Sequence, residues 1–306
     1  MYKNIHGILL LDKPSGISSN NILQQVKKIL GVKKVGYSGT LDPLATGLLP
    51  IFFGKCTKFI DNFINSDKSY HVIMKLGQIT STYDSEGIIL EERIVNFSSI
   101  LLYNSLKKLQ SRVTQVAPMY SAVKYKGLPL YKYIRKILPI IKITKNIRVY
   151  KIHCIWYNNQ FIKLKIFCSK GTYIRSFVHD LGKLLGCGAH VIYLRRIQVA
   201  SYMVNNCITF KKLYYLHKLY SKLLCITIIN QFFIPIQKIF LNCIEVKLNS
   251  LLILSQKNIK FFTSLMKNNI VKIIVINHTK KFFIGRIDQY GQLISYKSLN
   301  ININLL

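Results

Sequence analysis

Acidic residues are scarce in this chain of 306 residues, which has 11 Asp and Glu against 44 Lys and Arg. Any carboxylate chemistry must therefore come from a short set of side chains. The net charge of +33 creates a field that attracts polyanions. Nucleic acid is the first candidate, since each phosphate contact releases counterions, and an anionic membrane surface is the second. A bias toward Lys, Ile and Asn, as AT-rich coding produces, would explain part of this charge without any function.

Paired cysteines are also missing, because no C-x-x-C motif occurs. The seven cysteines are Cys56, Cys154, Cys168, Cys187, Cys207, Cys225 and Cys243. An odd number without close pairs argues against a disulfide framework and against a zinc finger. His190 lies near Cys187 in sequence, but no second ligand pair accompanies them, so we expect no metal site. Reduced thiols indicate a cytoplasmic protein.

The chain has no long uninterrupted apolar run. Its most apolar stretch, residues 223–236, is broken by Asn230, Gln231 and Pro235. It is too short and too interrupted to span a bilayer, so no membrane partner is expected. Residues 1–6 lead directly into a strand-like segment and lack the shape of a signal peptide.

The hydrophobic pattern predicts an α+β fold, because strands and helices mix without regular alternation. We expect strands at residues 7–12, 70–76 and 161–168, and helices that end at Gly31 and Gly186. In the strand at 161–168, Lys163 and Lys165 face one side and the isoleucines and leucine between them face the other. Short strands at 271–276, 282–287 and 293–296, with a turn at 288–292, predict a small β-rich domain. We place the domains at 1–246 and 247–306.

Asp42 is the most conspicuous acid, since apolar leucines surround it and Gly39, Pro43 and Gly47 shape its backbone. A lone carboxylate on such a turn is costly to desolvate unless a cation pairs with it. That setting suits a nucleophile or a general base. An Asp-Pro turn whose side chain binds only its own backbone is the structural alternative.

Two further segments combine charges with aromatic groups. Residues 169–175 join a strand to a helix, and Arg175 in the first helical turn either pairs with a buried acid or is an ordinary surface residue. Residues 118–136 interleave four tyrosines with lysines and an arginine. Aromatic rings and cations suit unstacked bases and phosphates, although a basic surface over packed tyrosines would look the same.

Taken together, the segments resemble the TruB-type tRNA pseudouridine synthases. The resemblance is carried, in order, by GILLLDKPSG at 7–16, GYSGTLDPLATG at 36–47, SDKSY at 66–70, MYSAVK at 119–124, SKGTYIR at 169–175 and GCGAHVIYLRR at 186–196. It implies a pseudouridine synthase catalytic core with a mixed, largely antiparallel sheet. It also implies that residues 247–306 form a small RNA-binding domain of the PUA type.

The resemblance also implies the roles of individual residues. Asp42 would be the nucleophile, Arg175 its ionic partner and Tyr70 the residue that contacts the target base. The other implied substrate contacts are Tyr37, Tyr173 and Leu194, and the weaker RNA contacts are Lys13, Tyr120, Lys124 and Lys132. Tyr37 stands where relatives often carry a histidine, so an aromatic surface is kept but an imidazole is not.

The implied reaction converts uridine to pseudouridine in the T-loop of tRNA, at position 55, after the base is flipped out of its stack. Product and substrate contain the same atoms, so no cofactor, metal or redox step is expected. The expected partner is the T arm of tRNA, and the protein is expected to be a monomer. Two other functions remain open: a basic RNA-binding protein or tRNA-folding chaperone without catalysis, and an aspartate-dependent hydrolase, which would need a second carboxylate or a metal.

Overall fold

The computed structural model of the protein describes residues 5–121, 123–135, 142–219, 232–235, 244–248, 270–276, 280–287 and 293–298. The helices are α1 (Ser19–Leu30), α2 (Ile60–Ile64), α3 (Ser99–Gln110), α4 (Leu130–Arg135), α5 (Ile174–Leu184) and α6 (Phe210–Leu219). The strands are β1 (Gly7–Lys13), β2 (Val35–Tyr37), β3 (Thr46–Phe53), β4 (Lys68–Leu76), β5 (Gln78–Thr80), β6 (Ile89–Glu92), β7 (Thr114–Val116), β8 (Lys124–Tyr125), β9 (Leu128–Pro129), β10 (Thr144–Asn146), β11 (Val149–Tyr157), β12 (Phe161–Cys168), β13 (Ala189–Val199), β14 (Tyr202–Met203), β15 (Ile208–Thr209), β16 (Phe233–Pro235), β17 (Ile244–Leu248), β18 (Ile270–Ile276), β19 (Lys280–Ile287) and β20 (Leu293–Ser298).

A ten-stranded sheet forms the centre of the molecule. Its main path runs β11-β12-β4-β13-β3-β1-β15, while β2, β14 and β16 pair with β3, β13 and β1. Most neighbours are antiparallel, and the β13–β3 and β1–β15 pairs are parallel. The predicted α+β class with a mixed, largely antiparallel sheet is confirmed.

The two faces of the sheet are covered differently. One face packs against α1 and α5 in the main core, where Ile22, Val26 and Val178 meet Val72 and Leu164. On the opposite face, a smaller cluster covers only β1, β3 and the end of β13, beneath Cys56, Phe59 and Phe63. Among the described residues, neither cluster extends over that face of β11, β12 and β4. This face of β11, β12 and β4 can therefore carry polar side chains.

The ends of the two predicted helices, α1 and α5, follow from local chemistry. The Ser18 side chain accepts a hydrogen bond from the Asn21 amide, and Gly31 takes the left-handed conformation that ends α1. Helix α5 ends before Gly186, which has a φ of +81°. The strands predicted at 7–12, 70–76 and 161–168 are confirmed as β1, β4 and β12.

A separate four-stranded sheet contains β17, β18, β19 and β20 in that order. The first pair is parallel, and the other two pairs are antiparallel. The three predicted strands in this region are thus present, while the predicted turn at 288–292 lies outside the described residues. The boundary predicted after residue 246 falls inside β17. No helix in the described ranges combines the length and apolarity needed to cross a membrane.

Close contact between β3 and β13 depends on Gly47. Its φ is +104°, and a Cβ atom there would lie 2.2 Å from the backbone oxygen of Arg196. A Cβ atom cannot approach a backbone oxygen so closely, so the two strands would have to separate.

We therefore expect Gly47→Ala to lower the free energy of unfolding by about 3 kcal/mol or more, because strain at positive φ adds to the steric clash. Gly186→Ala is the control, since that glycine also has positive φ but a Cβ atom there would meet no heavy atom within 4 Å. The control should cost about 1 kcal/mol. Urea unfolding followed by circular dichroism measures both, and equal losses would contradict the clash.

Candidate active site

The turn that carries Asp42 lies between β2 and β3 and is held by the loop that precedes α1. The buried Ser19 hydroxyl donates to the Leu41 carbonyl and accepts from the Leu41 amide, both at 2.8 Å. The Gly16 amide donates to the carbonyl of Pro43 at 2.9 Å. The turn is thereby fixed from both sides of Asp42, which keeps the carboxylate in one place.

Lys13 supports the same turn from inside the protein. Its amine is fully buried and donates to the carbonyls of Pro14, Ile17 and Pro43 at 2.7, 2.6 and 3.1 Å. Burial lowers the pKa of Lys13 to about 8, and the Asp42 carboxylate opposes this shift. The predicted RNA contact by Lys13 stays a prediction, and in this structure the amine is enclosed and bound to three carbonyls.

Arg175 connects Asp42 to a second acid. Its Nε lies 2.9 Å from Oδ2 of Asp42, and its Nη2 donates to Oδ1 at 3.2 Å. Nη1 donates to Oδ2 of Asp84 at 3.1 Å. The remaining donors reach the carbonyls of Thr82 and Tyr120 at 3.0 and 2.8 Å. Arg175 is only 5 % exposed, so it pairs with a buried acid and is not an ordinary surface residue.

Asp84 was missed by reasoning from the sequence. It is 1 % exposed, and its Oδ1 accepts from the Thr82 hydroxyl and the Glu86 amide. Tyr83, which lies between Thr82 and Asp84 in the chain, has a φ of +63°. Its ring stacks on that of His179 in α5, with the two ring centroids 3.8 Å apart. The left-handed residue allows the Thr82 carbonyl and the Asp84 carboxylate to face the same guanidinium. The local sequence gives no sign of this, since it reads as an ordinary polar turn.

The Asp42 carboxylate is in contact with both protein and solvent. Its side chain is 35 % exposed, whereas those of Arg175 and Asp84 are nearly inaccessible. Burial raises the pKa of Asp42, Arg175 opposes that rise, and the like charge of Asp84 adds to it. The arrangement places a partly exposed carboxylate in the wall of a cleft, with its buried cationic partner on the protein side.

The cleft has a volume of about 330 Å³ and lies between the Asp42 turn, the start of α5 and strands β4 and β13. Its walls include Asp42, Arg175, Tyr70, Tyr173 and Leu194, so five of the predicted site residues come together. Tyr173 precedes α5, and the Gln115 side chain binds both its amide and its carbonyl. The aromatic and apolar walls suit a planar heterocycle.

Arg196 is a second buried cation in this cleft, and it has no carboxylate partner among the described residues. It is 1 % exposed, its Nε donates to the Leu48 carbonyl at 2.8 Å, and its Nη2 has no hydrogen-bond partner. It is directly opposite Tyr70 in the β13–β4 pair, with its guanidinium beside the tyrosine hydroxyl. Burial raises the pKa of Tyr70, and this guanidinium opposes the rise. In the sequence, Arg196 is only the last letter of a motif and carries no mark of this position.

The other predicted contacts lie outside the cleft wall. Tyr37 ends β2, where it is half-buried against the main core. Tyr120 is 39 % exposed and contributes its carbonyl to Arg175, while Lys124 and Lys132 are exposed on β8 and α4. Tyr120, Lys124 and Lys132 are thus accessible to RNA. Within the described ranges, no three His, Cys, Asp or Glu side chains are grouped to hold a metal ion.

Comparison with known proteins identifies the family. Residues 27–174 match the TruB family pseudouridylate synthase N-terminal domain, and residues 175–239 match the tRNA pseudouridylate synthase B C-terminal domain. The tRNA pseudouridine synthase B of Buchnera aphidicola (Acyrthosiphon pisum, strain APS) is 44% identical over 99% of this chain and 98% of that protein. Its counterpart in Photorhabdus laumondii is 50% identical over 71% of this chain and 69% of that protein. The chain belongs to the TruB family of pseudouridylate synthases and is an isomerase.

Solved structures agree with this fold assignment. The crystal structure of a Cbf5-Nop10-Gar1 complex matches with a TM-score of 0.68 and 21% identity, over 96% of this chain and 85% of that one. The archaeal Nop10-Cbf5 complex of the box H/ACA particle matches with a TM-score of 0.63 and 17% identity, over 96% and 85% of the two chains. These likenesses establish the fold.

The contacts of Asp84 predict a role in the activity. Asp84→Asn should slow pseudouridine formation by about ten- to a hundredfold, because Arg175 loses one of its two ionic partners. Removing this negative charge should also lower the pKa of Asp42, so the acid limb of the rate profile should move to lower pH. Single-turnover rates measured as a function of pH test both effects.

Asp180→Asn is the matched control, since Asp180 forms its ion pair with Arg112 on the surface. It should change the rate less than twofold, because exposed ion pairs contribute little. A wild-type rate in Asp84→Asn would show that Arg175 needs only Asp42.

Proposed function

We propose that the protein isomerises uridine to pseudouridine in the T-loop of tRNA, with Asp42 as the nucleophile. One observation carries this proposal: Arg175 holds the Asp42 carboxylate by two contacts at the wall of a cleft that also contains Tyr70. The names of the relatives, tRNA pseudouridine synthase B, support tRNA as the substrate class.

The reaction exchanges one bond of the base for another. The N1–C1′ bond breaks, the uracil turns, and C5 bonds to C1′; the proton on C5 leaves and N1 gains one. Every atom is retained, so the residues need only activate, hold and reorient the base. Asp42 acts on the nucleoside, and Arg175 stabilises its ionised form. In this proposal Tyr70 stacks on the base and helps remove the C5 proton, and Arg196 beside its hydroxyl supports the assignment.

Entry of the base requires it to leave its stack. A uridine within a folded loop is stacked on its neighbours, so its C1′ is accessible only after flipping. The cleft of about 330 Å³ is large enough for one base, and Tyr70, Tyr173 and Leu194 provide surfaces to receive it. A loop should therefore react, and a continuous duplex should not.

A binding protein without catalysis is the second candidate. The excess of cations, and exposed Tyr120, Lys124 and Lys132, would serve RNA binding alone equally well. Such a protein has no use for a carboxylate held by a buried arginine in a cleft, because a negative charge opposes RNA. The Asp42–Arg175 pair therefore favours the enzyme.

Asp42→Asn should abolish pseudouridine formation while leaving RNA affinity within about threefold, because the carboxylate is lost without a change of shape. Asp61→Asn is the control, since Asp61 is an exposed acid on α2. Chemical labelling of pseudouridine, followed by sequencing of unmodified tRNA, locates the product.

The outcomes separate the parts of the proposal. Product at one T-loop uridine with wild-type protein, and none with Asp42→Asn, supports it. Full activity in Asp42→Asn would remove the nucleophile assignment. Product scattered over many loops would retain the chemistry but contradict the T-loop substrate, and no product at any uridine would favour the binding protein.

The segment at residues 118–136 should supply part of the electrostatic affinity. Lys124→Gln/Lys132→Gln should weaken tRNA binding and flatten the plot of log affinity against log salt by about two units, since each lost phosphate contact removes about one. Lys107→Gln/Lys108→Gln removes the same charge from exposed positions on α3. Equal slopes in the two variants would place the RNA contacts elsewhere.

A further inference from the structure

On the side opposite the catalytic cleft, neither hydrophobic cluster of the described residues covers the half of the central sheet formed by β11, β12 and β4. We call this the outer face; it consists of the outward side chains of β11, β12, β4 and β13. Strand register puts Lys163 and Lys165 on it, because Ile162, Leu164 and Ile166 between them are fully buried in the main core. The cleft residues Tyr70, Leu194 and Arg196 belong to the other face. The outer face is therefore a distinct surface.

Two parallel rows of side chains cross this face. One row reads His153, Lys165, His71 and Arg195 in adjacent strands, and the other reads Trp156, Lys163, Ile73 and Tyr193. Residues directly opposite each other in neighbouring strands interact, and like charges placed so are destabilising. The first row consists entirely of basic groups. Burial lowers the pKa of His71, and Lys165, Lys163 and Arg195 lower it further.

The described part of the chain supplies the outer face with almost no compensating negative charge. Strands β4, β11, β12 and β13 contain no Asp or Glu. Asp12 of β1 reaches only Arg195, through two contacts of 3.0 and 2.6 Å, and so leaves the lysines uncompensated. An anionic partner would offset this cost, since it would supply the charge that the strands lack.

Aromatic rings accompany the cations. Trp156 and Tyr193 lie at the two ends of the second row and are 40 % and 38 % exposed. Three strand spacings separate them, or about 14 Å, so they are far enough apart to meet different bases of one strand. Rings that stack bases, with cations between them for the phosphates, are how proteins bind single-stranded nucleic acid irrespective of sequence.

We propose that the outer face is a second RNA-binding surface, which takes an unpaired RNA segment by stacking on Trp156 and Tyr193 and by phosphate contacts to Lys163 and Lys165. It holds RNA other than the nucleotide in the catalytic cleft, because the sheet lies between the two sites. The proposal is independent of which uridine the protein modifies.

The sequence supplies its own reporter, since Trp156 is the only tryptophan in the chain. Stacking of a base on the indole should quench its fluorescence. The probe is an oligoadenylate of about ten nucleotides, within the range of single-strand site sizes, which contains no uridine. We expect saturable quenching whose affinity falls steeply with salt.

Lys163→Gln/Lys165→Gln should weaken this affinity about tenfold at low salt and reduce the slope of log affinity against log salt by about 1.4. Lys107→Gln/Lys108→Gln carries the same loss of charge on α3 and should change the affinity less than twofold. Pseudouridine formation in an isolated T-arm should be unaffected by Lys163→Gln/Lys165→Gln, which separates this surface from the catalytic site.

The proposal would be overturned if Trp156 fluorescence were not quenched at oligoadenylate concentrations that bind by anisotropy. Equal losses of affinity in the two lysine variants would also overturn it. Anisotropy of a labelled oligoadenylate, measured on Trp156→Phe and Trp156→Ala, provides a second measurement. Only the alanine variant should lose affinity substantially, because phenylalanine still stacks. If vesicles of anionic lipid quench Trp156 and oligoadenylate does not, the outer face binds membranes and not RNA.

Discussion

The guanidinium of Arg175 is the group on which the geometry of the candidate active site depends. Helix α5 carries it, and three other segments contact it: the Asp42 turn, the loop at Thr82 and Asp84, and the carbonyl of Tyr120. A buried cation without such partners would be very costly, so these contacts are needed to keep Arg175 in the interior. Of the three charged side chains in this network, Asp42 is 35 % exposed while Arg175 and Asp84 are nearly inaccessible, so it is the Asp42 carboxylate that faces the cleft.

Buried positive charge recurs around the site and organises it. Lys13 binds three carbonyls beneath the Asp42 turn, and Arg196 lies behind Tyr70 with Nε on the Leu48 carbonyl. Backbone oxygens thus replace carboxylates as partners for these cations. A chain that is poor in acids can in this way bury several cations and still leave the Asp42 carboxylate partly exposed in the cleft.

The sequence predicted those features that local patterns determine. Periodicity and capping residues located α1 and α5, and alternation in β12 placed its lysines and its apolar residues on opposite sides, because these depend on neighbours a few positions apart. The pairing of Asp42 with Arg175 could be inferred only from family resemblance, since 133 residues separate them. Asp84 and the burial of Lys13 depend on tertiary contacts, and the residues around them carry no local mark. Tyr37, half-buried against the main core, is not among the residues that line the cleft, and its predicted substrate contact stays a prediction.

The edge of the central sheet has a consequence for how copies of the protein meet. Strand β11 is the last in the order, and its pairing with β12 is interrupted by register shifts between Val149 and Lys151 and between Cys154 and Trp156. Bulges bend a strand and increase its twist, so the outward amides and carbonyls do not form a straight template. Basic Lys151 and His153 lie between the two irregularities. A second molecule that tried to continue the sheet would meet a bent, like-charged border, so an edge that exposes Ile155 and Trp156 is protected from chain-to-chain strand addition.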